Sequence, residues 1–344
     1  MNEIKLIRAI ACLCVVLLHS IKFKVGFEYN GSDIISHILL TLAGLLSFGT
    51  PTFVFISSLL LAYTYKHGLP SGFYLKRVKL ILLPFIFMGI FYGLVSNLDD
   101  LSNIPKYVIL NLLGNYHGWF VLVIFQFYFL HQVFTKYDKR IKPSLALSFS
   151  FIVSIIYLIF FNITNPHTKN IYILDFWERS YIIPFFGWFC YFVLAYYCGK
   201  NYESFIQNIE RFKIWIYSAL PLTTGLIVLN NIYGDFNYGS KRFDMIFFTL
   251  NIIMILFLIT HKVKKVPVIF EVISTYSFGI YLVHWFWLVL LTKIYNYIGI
   301  EIGFFSIPIF FFGSILSSIT MINILNKWDL GKYLVGKIGR NTKK

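Results

Sequence analysis

The sequence predicts an all-α membrane protein that crosses the bilayer about ten times and keeps both termini in the cytoplasm. Of its 344 residues, 58% are hydrophobic and only 13% are charged, against roughly 45–50% and 25% in soluble domains. The mean hydropathy is +0.72. Apolar runs of about 18 residues or more, which are long enough to span a bilayer, recur from end to end. These observations exclude a soluble, lipid-anchored or disordered protein.

Ten apolar segments account for the predicted spans, and the first lacks a cleavage signature, so we expect it to be retained. The segments are centred on residues 4–21, 44–65, 80–97, 118–135, 144–163, 181–199, 213–230, 245–260, 275–293 and 303–325. Gly49, Pro51, Gly114 and Gly118 interrupt the second and fourth segments. The longest connections carry Asn, Asp, Gly, Tyr and Pro and are expected to be loops on the outer side. They cover residues 22–43, 98–117, 163–180 and 231–244.

The basic residues set the predicted orientation. With the N-terminus inside, most of the 30 Lys and Arg residues fall on the cytoplasmic side, as the positive-inside rule requires. The basic stretches therefore act first as topology signals and contacts to lipid headgroups, and the net charge of +15 does not indicate a nucleic-acid partner. We expect one membrane domain over residues 1–330 and a basic cytoplasmic tail over 331–344. The four cysteines lie within predicted spans and are expected to be buried thiols, with no metal site.

The stretch RAIACLCVVLLH, residues 8–19, places an arginine and a histidine at the two ends of the first span. Eleven residues of helix turn His19 to within roughly 20° of Arg8 and some 16 Å further along the axis, so both lie on one face. An ionisable side chain inside a bilayer costs about 2.5 kcal/mol or more and normally marks a site. The alternative is that Arg8 snorkels to the cytoplasmic surface and His19 caps the helix at the outer interface.

A second histidine lies in the ninth span. In STYSFGIYLVH, residues 274–284, Ser277, Tyr281 and His284 follow helical spacing and share a face. An interhelical hydrogen bond from His284 is the alternative to a site. His117 and Trp119, at the outer mouth of the fourth span, are candidate sugar contacts, with the interfacial belt or a turn as alternative roles. Tryptophans near span ends, Trp285 among them, fit the interfacial belt or packing between helices better than a sugar platform.

These residues resemble the acyltransferase-3 family of integral membrane enzymes, whose first span carries an arginine, ten residues and a histidine. FGTPTFVFISSLLL (48–61), LKRVKLILLPF (75–85) and SFGIYLVH (277–284) resemble three further elements of that family, with Ser58 where glycine is usual. Within the family, NLLGNYHGWFVLVIFQFYFL (111–130) and FGWFCYFVLAYYCGKNYE (186–203) are similar to the intercellular adhesin C subgroup of biofilm polysaccharide operons. The resemblance covers most of the chain.

The resemblance implies a multi-pass enzyme of the bacterial cell membrane that moves an acetyl or succinyl group from cytoplasmic acyl-coenzyme A to hydroxyls of a surface polysaccharide, poly-N-acetylglucosamine in this subgroup. A polysaccharide synthase complex is a further candidate partner. A hydroxyl is a poor nucleophile, so transfer needs a base near neutral pH, and we assign that base to His19. Arg8 would position the donor.

The other candidate residues divide between donor and acceptor. Lys76, Arg77 and Lys79 would bind the nucleotide phosphates at the cytoplasmic rim, unless they serve only as a topology signal. His284, the second candidate catalytic residue, could orient the acceptor, hold a developing charge or accept the acyl group first. Substrate contacts are expected from Ser277, Tyr281, His117 and Trp119.

Two other functions compete with acyl transfer. The first is a conduit or flippase that exports poly-β-1,6-N-acetylglucosamine, for which several spans should carry many polar residues. The ionisable residues that fall clearly within the predicted spans are Arg8, His19 and His284. So short a set favours a compact site over a long polar path. The second, an ion-coupled transporter of small solutes, is disfavoured because no Asp or Glu falls clearly at mid-membrane.

Overall fold

A computed structural model describes residues 1–28, 34–137, 140–233, 239–299 and 303–338. Within these ranges the regular structure is entirely helical, without a strand. In chain order the helices are α1 (Asn2–Glu28), α2 (Ile34–Leu46), α3 (Gly49–Thr64), α4 (Phe73–Arg77), α5 (Leu83–Val95), α6 (Ile104–Leu112), α7 (Phe120–Tyr137), α8 (Pro143–Ile163), α9 (Ile171–Ile182), α10 (Phe189–Lys200), α11 (Tyr202–Arg211), α12 (Lys213–Tyr233), α13 (Asp244–Thr260), α14 (Val268–Ile298), α15 (Ser306–Leu325) and α16 (Gly331–Leu334).

Proline and short non-α segments mark where several of these helices begin. Pro84, Pro105 and Pro143 occupy the first turns of α5, α6 and α8, where the missing N–H has no intrahelical partner to lose. A π-helical segment, Val78–Leu82, joins α4 to α5, and a 3₁₀ turn, His117–Trp119, leads into α7. That turn is short, and it carries one of the predicted site histidines.

The helices confirm the predicted multi-pass, all-α architecture. In the described ranges, eight helical segments are long and apolar enough to cross a membrane, or nine when α11 and α12, bent by 74°, count as one span. Helix α13 is apolar but shorter, with 17 residues. Each of the ten predicted segments thus coincides with a helix. The cytoplasmic placement of the termini stays a prediction.

The prediction of open loops is wrong for three of the four long connections. Helix α1 continues to Glu28 and α2 begins at Ile34, while α6 and α9 occupy much of the second and third connections. Backbone near or within a bilayer satisfies its hydrogen bonds best as helix, and exposed apolar residues such as Ile34 and Ile38 suit contact with lipid. Residues 29–33 and 234–238, at the polar centres of two connections, lie outside the described residues.

The chain divides into two compact units. Unit 1 comprises Met1–Ala11, Gly44–Ser71 and Leu122–Val266, and unit 2 comprises Cys12–Ala43, Gly72–Val121 and Pro267–Lys344. The single membrane domain over residues 1–330 stays a prediction. Of the predicted tail, residues 331–338 are described and include α16, after which Val335 is fully buried. Residues 339–344 lie outside the described part of the chain.

Unit 1 is held by a close approach of α3 and α10. A Cβ at Gly199 of α10 would lie 2.2 Å from the carbonyl oxygen of Leu59 in α3, so only glycine lets the two backbones meet, as small residues do in membrane helix pairs. Around this contact lie fully buried apolar side chains of α1, α3, α10, α11 and α13. They include Ile7, Phe55, Ile56, Ala195, Ile253 and Phe257. The cysteines of this unit, Cys190 and Cys198, are buried free thiols as predicted.

Unit 1 also contains a buried ion pair that the sequence did not reveal. Arg242 and Asp244 are 2% and 4% exposed. The Nε of Arg242 donates to one carboxylate oxygen of Asp244 over 3.0 Å, and Nδ2 of Asn230 donates to the other over 2.7 Å. Arg242 also donates to the side chain of Asn231. Because a buried charge is tolerated only when it is paired and hydrogen-bonded, this group is a structural anchor at the start of α13.

In unit 2, helix α14 packs along α15, and a buried lysine secures the C-terminal part of α1. Lys24 is 1% exposed, and its Nζ donates to the carbonyl oxygen of Gly303, just before α15, over 2.8 Å. Gly279 of α14 faces Ile322 of α15 so closely that a Cβ would lie 2.6 Å from the isoleucine Cδ1. These contacts fix α1, α14 and α15, two of which carry predicted site residues.

Gly199→Ala is expected to lower the free energy of unfolding by about 1–3 kcal/mol, because the added methyl overlaps the backbone of α3. Gly225→Ala on α12 is the matched control, since a Cβ there meets nothing within 4 Å and alanine favours helix. The measurement is detergent-induced unfolding of the purified proteins in micelles. Equal effects of the two substitutions would contradict the close packing of α3 and α10.

Candidate functional site

Four of the predicted site residues lie together in unit 2, although they come from three distant parts of the chain. His19 lies on α1, His117 on the 3₁₀ turn before α7, and Tyr281 and His284 on α14. The ring centroid of His284 is 5.4 Å from that of His19 and 5.4 Å from that of His117. The Tyr281 ring is 5.9 Å from His117 and 6.4 Å from His284. We call these four rings, together with Trp285, the histidine cluster.

Trp285 is the one member of the histidine cluster that was not among the predicted site residues. Its ring meets His19 edge-on at 5.1 Å and stacks on His117 at 5.7 Å with an interplanar angle of 15°. On its remaining side it meets Phe23 of α1 edge-on at 4.9 Å. Trp285 therefore packs between two imidazoles of unit 2, which decides for packing over the interfacial belt among the roles that the sequence left open.

The backbone of α14 fixes the proton of His284. Its side chain is fully buried, and its Nδ1 lies 2.9 Å from the carbonyl oxygens of both Ile280 and Tyr281. Carbonyl oxygens only accept, so we assign the hydrogen of the neutral ring to Nδ1. The opposite nitrogen, Nε2, then carries a lone pair, and it is buried without a hydrogen-bond partner among the described residues.

His117 is fixed in the opposite tautomer by the same turn of α14. Its Nε2 donates to the carbonyl oxygen of Leu282 over 3.1 Å, which leaves the lone pair of the neutral ring on Nδ1. The hydroxyl of Tyr281 in turn donates to the backbone carbonyl of His117. The 3₁₀ turn and α14 thus hold each other through reciprocal hydrogen bonds.

A tyrosine that the sequence did not single out is inserted into the hydrogen bonds of this same turn. The hydroxyl of Tyr92 on α5 donates to the carbonyl oxygen of Leu282 over 2.9 Å and accepts from the backbone N–H of Phe286 over 3.1 Å. These two backbone groups are four residues apart and pair with each other in a regular α-helix. Inserted polar groups of this kind distort helices locally. Here the two backbone groups, at Leu282 and Phe286, lie on either side of His284 and Trp285 in the chain.

His19 differs from the other two histidines because the described protein atoms do not fix its tautomer. Its Nδ1 is buried and makes no hydrogen bond within the described ranges. The side chain as a whole is only partly buried. His19 on α1 is therefore more accessible than His284 on α14.

The remaining predicted residues of unit 2 lie apart from these ring contacts or at its surface. Ser277 is buried two turns before His284, and its hydroxyl donates to the carbonyl oxygen of Ser274. Trp119 meets Phe120 edge-on at 6.3 Å. In the basic turn, the side chains of Lys76 and Lys79 are exposed, and the guanidinium of Arg77 lies 4.9 Å above the ring of Phe73.

Arg8 belongs to unit 1 and lies on α1 eleven residues before His19. Its side chain is half-buried, and within the described ranges it forms no ion pair or hydrogen bond. An arginine on an apolar helix without a carboxylate partner retains its full capacity to bind an anion.

In the described part of the chain, no group of three or more His, Cys, Asp or Glu side chains could hold a metal ion.

Comparison with known proteins decides the family. The family model described as an acyltransferase domain, acyltransferase-3, matches residues 1–323. The chain belongs to the acyltransferase-3 family. It is therefore a multi-pass bacterial membrane acyltransferase, and the sequence resemblance is confirmed. No solved structure matches the chain.

Relatives of this acyltransferase carry two kinds of name. YfiQ of Bacillus subtilis (strain 168), named as a membrane-bound acyltransferase, is 36% identical over 98% of this chain and 94% of its own length. A protein of Staphylococcus aureus (strain MSSA476), named as a probable poly-beta-1,6-N-acetyl-D-glucosamine export protein, is 29% identical over 97% of this chain and 95% of its own. The Staphylococcus epidermidis protein of the same name is 26% identical over 97% and 94%.

The parts of the site that sequence reasoning missed are aromatic. Trp285 adjoins His284 in the sequence, so adjacency alone offered a signal, but tryptophan near a span end has a common alternative role. Tyr92 lies in the apolar run FYGLV, where nothing distinguishes it from neighbouring residues. Its part in the site depends on a contact between residues 190 positions apart.

Tyr92→Phe is expected to lower the free energy of unfolding by about 1–3 kcal/mol, because the N–H of Phe286 loses its buried acceptor. Tyr276→Phe on α14 is the control, since the Tyr276 hydroxyl donates to the side-chain oxygen of Asn323 at a more accessible position, and it should cost about 1 kcal/mol or less. Detergent-induced unfolding measures both. A smaller loss for Tyr92→Phe than for Tyr276→Phe would contradict the bridging role.

Proposed function

We propose that this acyltransferase moves an acetyl or succinyl group from cytoplasmic acyl-coenzyme A to hydroxyls of a cell-surface polysaccharide, poly-N-acetylglucosamine being the first candidate. The observation that carries the proposal is the meeting of His19, His117 and His284 within a membrane protein of this family. Imidazole is the side chain whose ordinary pKa suits it to take and return a proton near neutral pH. Acyl transfer to a hydroxyl needs such a group.

The proposal assigns the general base to His19. The acceptor hydroxyl must reach the base within hydrogen-bonding distance, and His19 is partly exposed whereas His284 is fully buried. His117, Trp119 and Tyr281 would contact the acceptor sugar. Ser277 lies two turns from His284 and would support α14 more than touch the sugar.

Donor binding is assigned to basic residues near the predicted cytoplasmic ends of the spans. Arg8, without a protein anion in the described ranges, would bind phosphate oxygens of the donor through paired N–H groups. Lys76 and Lys79 are exposed and available to the nucleotide phosphates, and Arg77 would join them. Acyl-coenzyme A serves here as a substrate, and a synthase complex that supplies the polysaccharide is a proposed partner.

Export of the polymer is the second candidate function, because the Staphylococcus relatives are named as export proteins of poly-beta-1,6-N-acetyl-D-glucosamine. The two functions make different demands on His19. If His19 is the base for acyl transfer, it is needed for esters to form on the polymer. If it lines a conduit, it is needed for the polymer to leave the cell. Transfer assays with purified protein therefore separate the two.

His19→Ala is expected to lower the rate of acyl transfer at least about 100-fold, because general base catalysis contributes about that much or more. Purified protein in proteoliposomes receives radiolabelled acetyl- or succinyl-coenzyme A and an N-acetylglucosamine oligomer, and ester formation is counted. His167→Ala is the matched control, since His167 is exposed. Wild-type rates in His19→Ala would remove His19 from the chemistry, and no transfer by the wild-type protein would overturn the proposed function.

Arg8→Gln is expected to raise the KM for acyl-coenzyme A about tenfold with a smaller effect on kcat. A hydrogen bond to a charged group contributes about 1.5–3 kcal/mol, and 1.4 kcal/mol corresponds to tenfold in affinity. Arg140→Gln, at an exposed position, controls for the general loss of a basic residue. A fall in kcat at unchanged KM would contradict the donor-binding role.

A further inference from the structure

We infer that His284 is a positioning residue for His19, and that its Nε2 accepts a hydrogen bond from Nδ1 of His19 during acyl transfer. The inference rests on the proposed function and deepens it. It assigns one role to His284, for which the sequence left several roles open.

Two buried ring nitrogens, one on His19 and one on His284, lack partners and complement each other. Nδ1 of His19 and Nε2 of His284 are both buried without a hydrogen-bond partner among the described residues. They belong to neighbouring rings whose centroids are 5.4 Å apart, with an interplanar angle of 35°. A buried polar atom without a partner carries a free-energy cost, so each such atom calls for an explanation. A hydrogen bond between the two rings removes both costs together.

The backbone of α14 determines the direction of this hydrogen bond. Because the proton of His284 is held at Nδ1 by the carbonyl oxygens of Ile280 and Tyr281, its Nε2 can only accept while the ring is neutral. Nδ1 of His19 must therefore be the donor. That tautomer leaves the lone pair of His19 on Nε2, where a general base needs it.

The burial and anchoring of His284 suit it to act through a neighbouring group. It is fully buried, and its ring is anchored to its own helix on one side. Tyr92 and His117 bind the next carbonyl of the same turn, at Leu282. A side chain held in this way has little freedom to adjust to a substrate. It can, however, hold a neighbouring ring in one orientation, as the third group of a catalytic triad does for its base.

The proton balance of the transfer follows from these positions. Nε2 of His19 takes the proton of the sugar hydroxyl while the hydroxyl oxygen forms a bond to the thioester carbon. The carbon–sulfur bond then breaks, and the departing thiolate takes that proton from Nε2 of His19. Nδ1 of His19 keeps its own hydrogen throughout, and the hydrogen bond to His284 stabilises the transient imidazolium. The products are the ester and coenzyme A.

The test compares His284→Gln with His284→Leu in the proteoliposome transfer assay, with kcat and KM for acyl-coenzyme A measured separately. The glutamine side-chain oxygen can accept from Nδ1 of His19, whereas leucine cannot. We expect His284→Leu to lower kcat about 100-fold, His284→Gln to stay within about tenfold of wild type, and KM to be unchanged in both. Elution profiles in detergent confirm that both variants are folded.

A second measurement keeps the test independent of how well glutamine packs. Nδ1-methylhistidine at position 19 has its lone pair on Nε2 whatever surrounds it. In the His284→Leu variant, this residue is expected to raise kcat about tenfold over ordinary histidine. The methyl group then keeps the lone pair on Nε2, so the acceptor at position 284 is no longer needed to set the tautomer. Absence of this rescue, together with equal loss of kcat in His284→Gln and His284→Leu, would overturn the positioning role.

A covalent route gives a different signature. If His284 itself carried the acyl group, wild-type protein incubated with labelled acyl-coenzyme A and no acceptor would retain label at His284, and His19→Ala would retain it as well. That result would overturn the positioning role while leaving acyl transfer intact. Wild-type protein that transfers acyl groups without such label is the expected result. Absence of both transfer and label would instead overturn the proposed function.

Discussion

The site depends on one turn of α14, at Ile280–Leu282, whose carbonyl oxygens bind side chains as well as the helix. His284 donates to the first two of these carbonyls, and Tyr92 and His117 donate to the third. In a bilayer such bonds are not in competition with water. One helical turn therefore sets the orientation of two imidazoles in unit 2, and the lone pair of each points away from its anchor.

These anchors leave His19 as the adaptable member of the cluster. Two imidazoles with fixed tautomers are suited to hold a third in place, and the third is only partly buried. Trp285 packs against His19 and His117 and limits how far either ring can turn. Such preorganisation costs stability where polar atoms stay unpaired, as at Nδ1 of His19 and Nε2 of His284, and it is typical of sites that await a ligand.

Much of this architecture could be predicted from hydropathy alone, because length and apolarity determine which segments span a bilayer. His19 and His284 could be singled out because ionisable residues are rare in spans. Tyr92 and Trp285 could not, since aromatic residues are common in this chain and only tertiary contact distinguishes them. The connections containing α2, α6 and α9 carry Asn, Asp, Gly and Pro, which favour turns and predict loops, so their helices are recognisable only in the fold. The ion pair of Arg242 and Asp244 could not be predicted because both residues fall in a connection where charges are expected to face water, and their burial is visible only in the fold.

The central claim is that the histidine cluster performs acyl transfer, and the most direct test measures secreted polysaccharide and its ester content in cells. The cells would carry the wild-type gene, His19→Ala or no copy, with membrane levels of the two proteins matched. The account predicts that His19→Ala delivers a normal amount of polymer outside the cell with its acyl esters missing. Normal esters per sugar, together with polymer retained inside the cell, would contradict the account and favour export as the function.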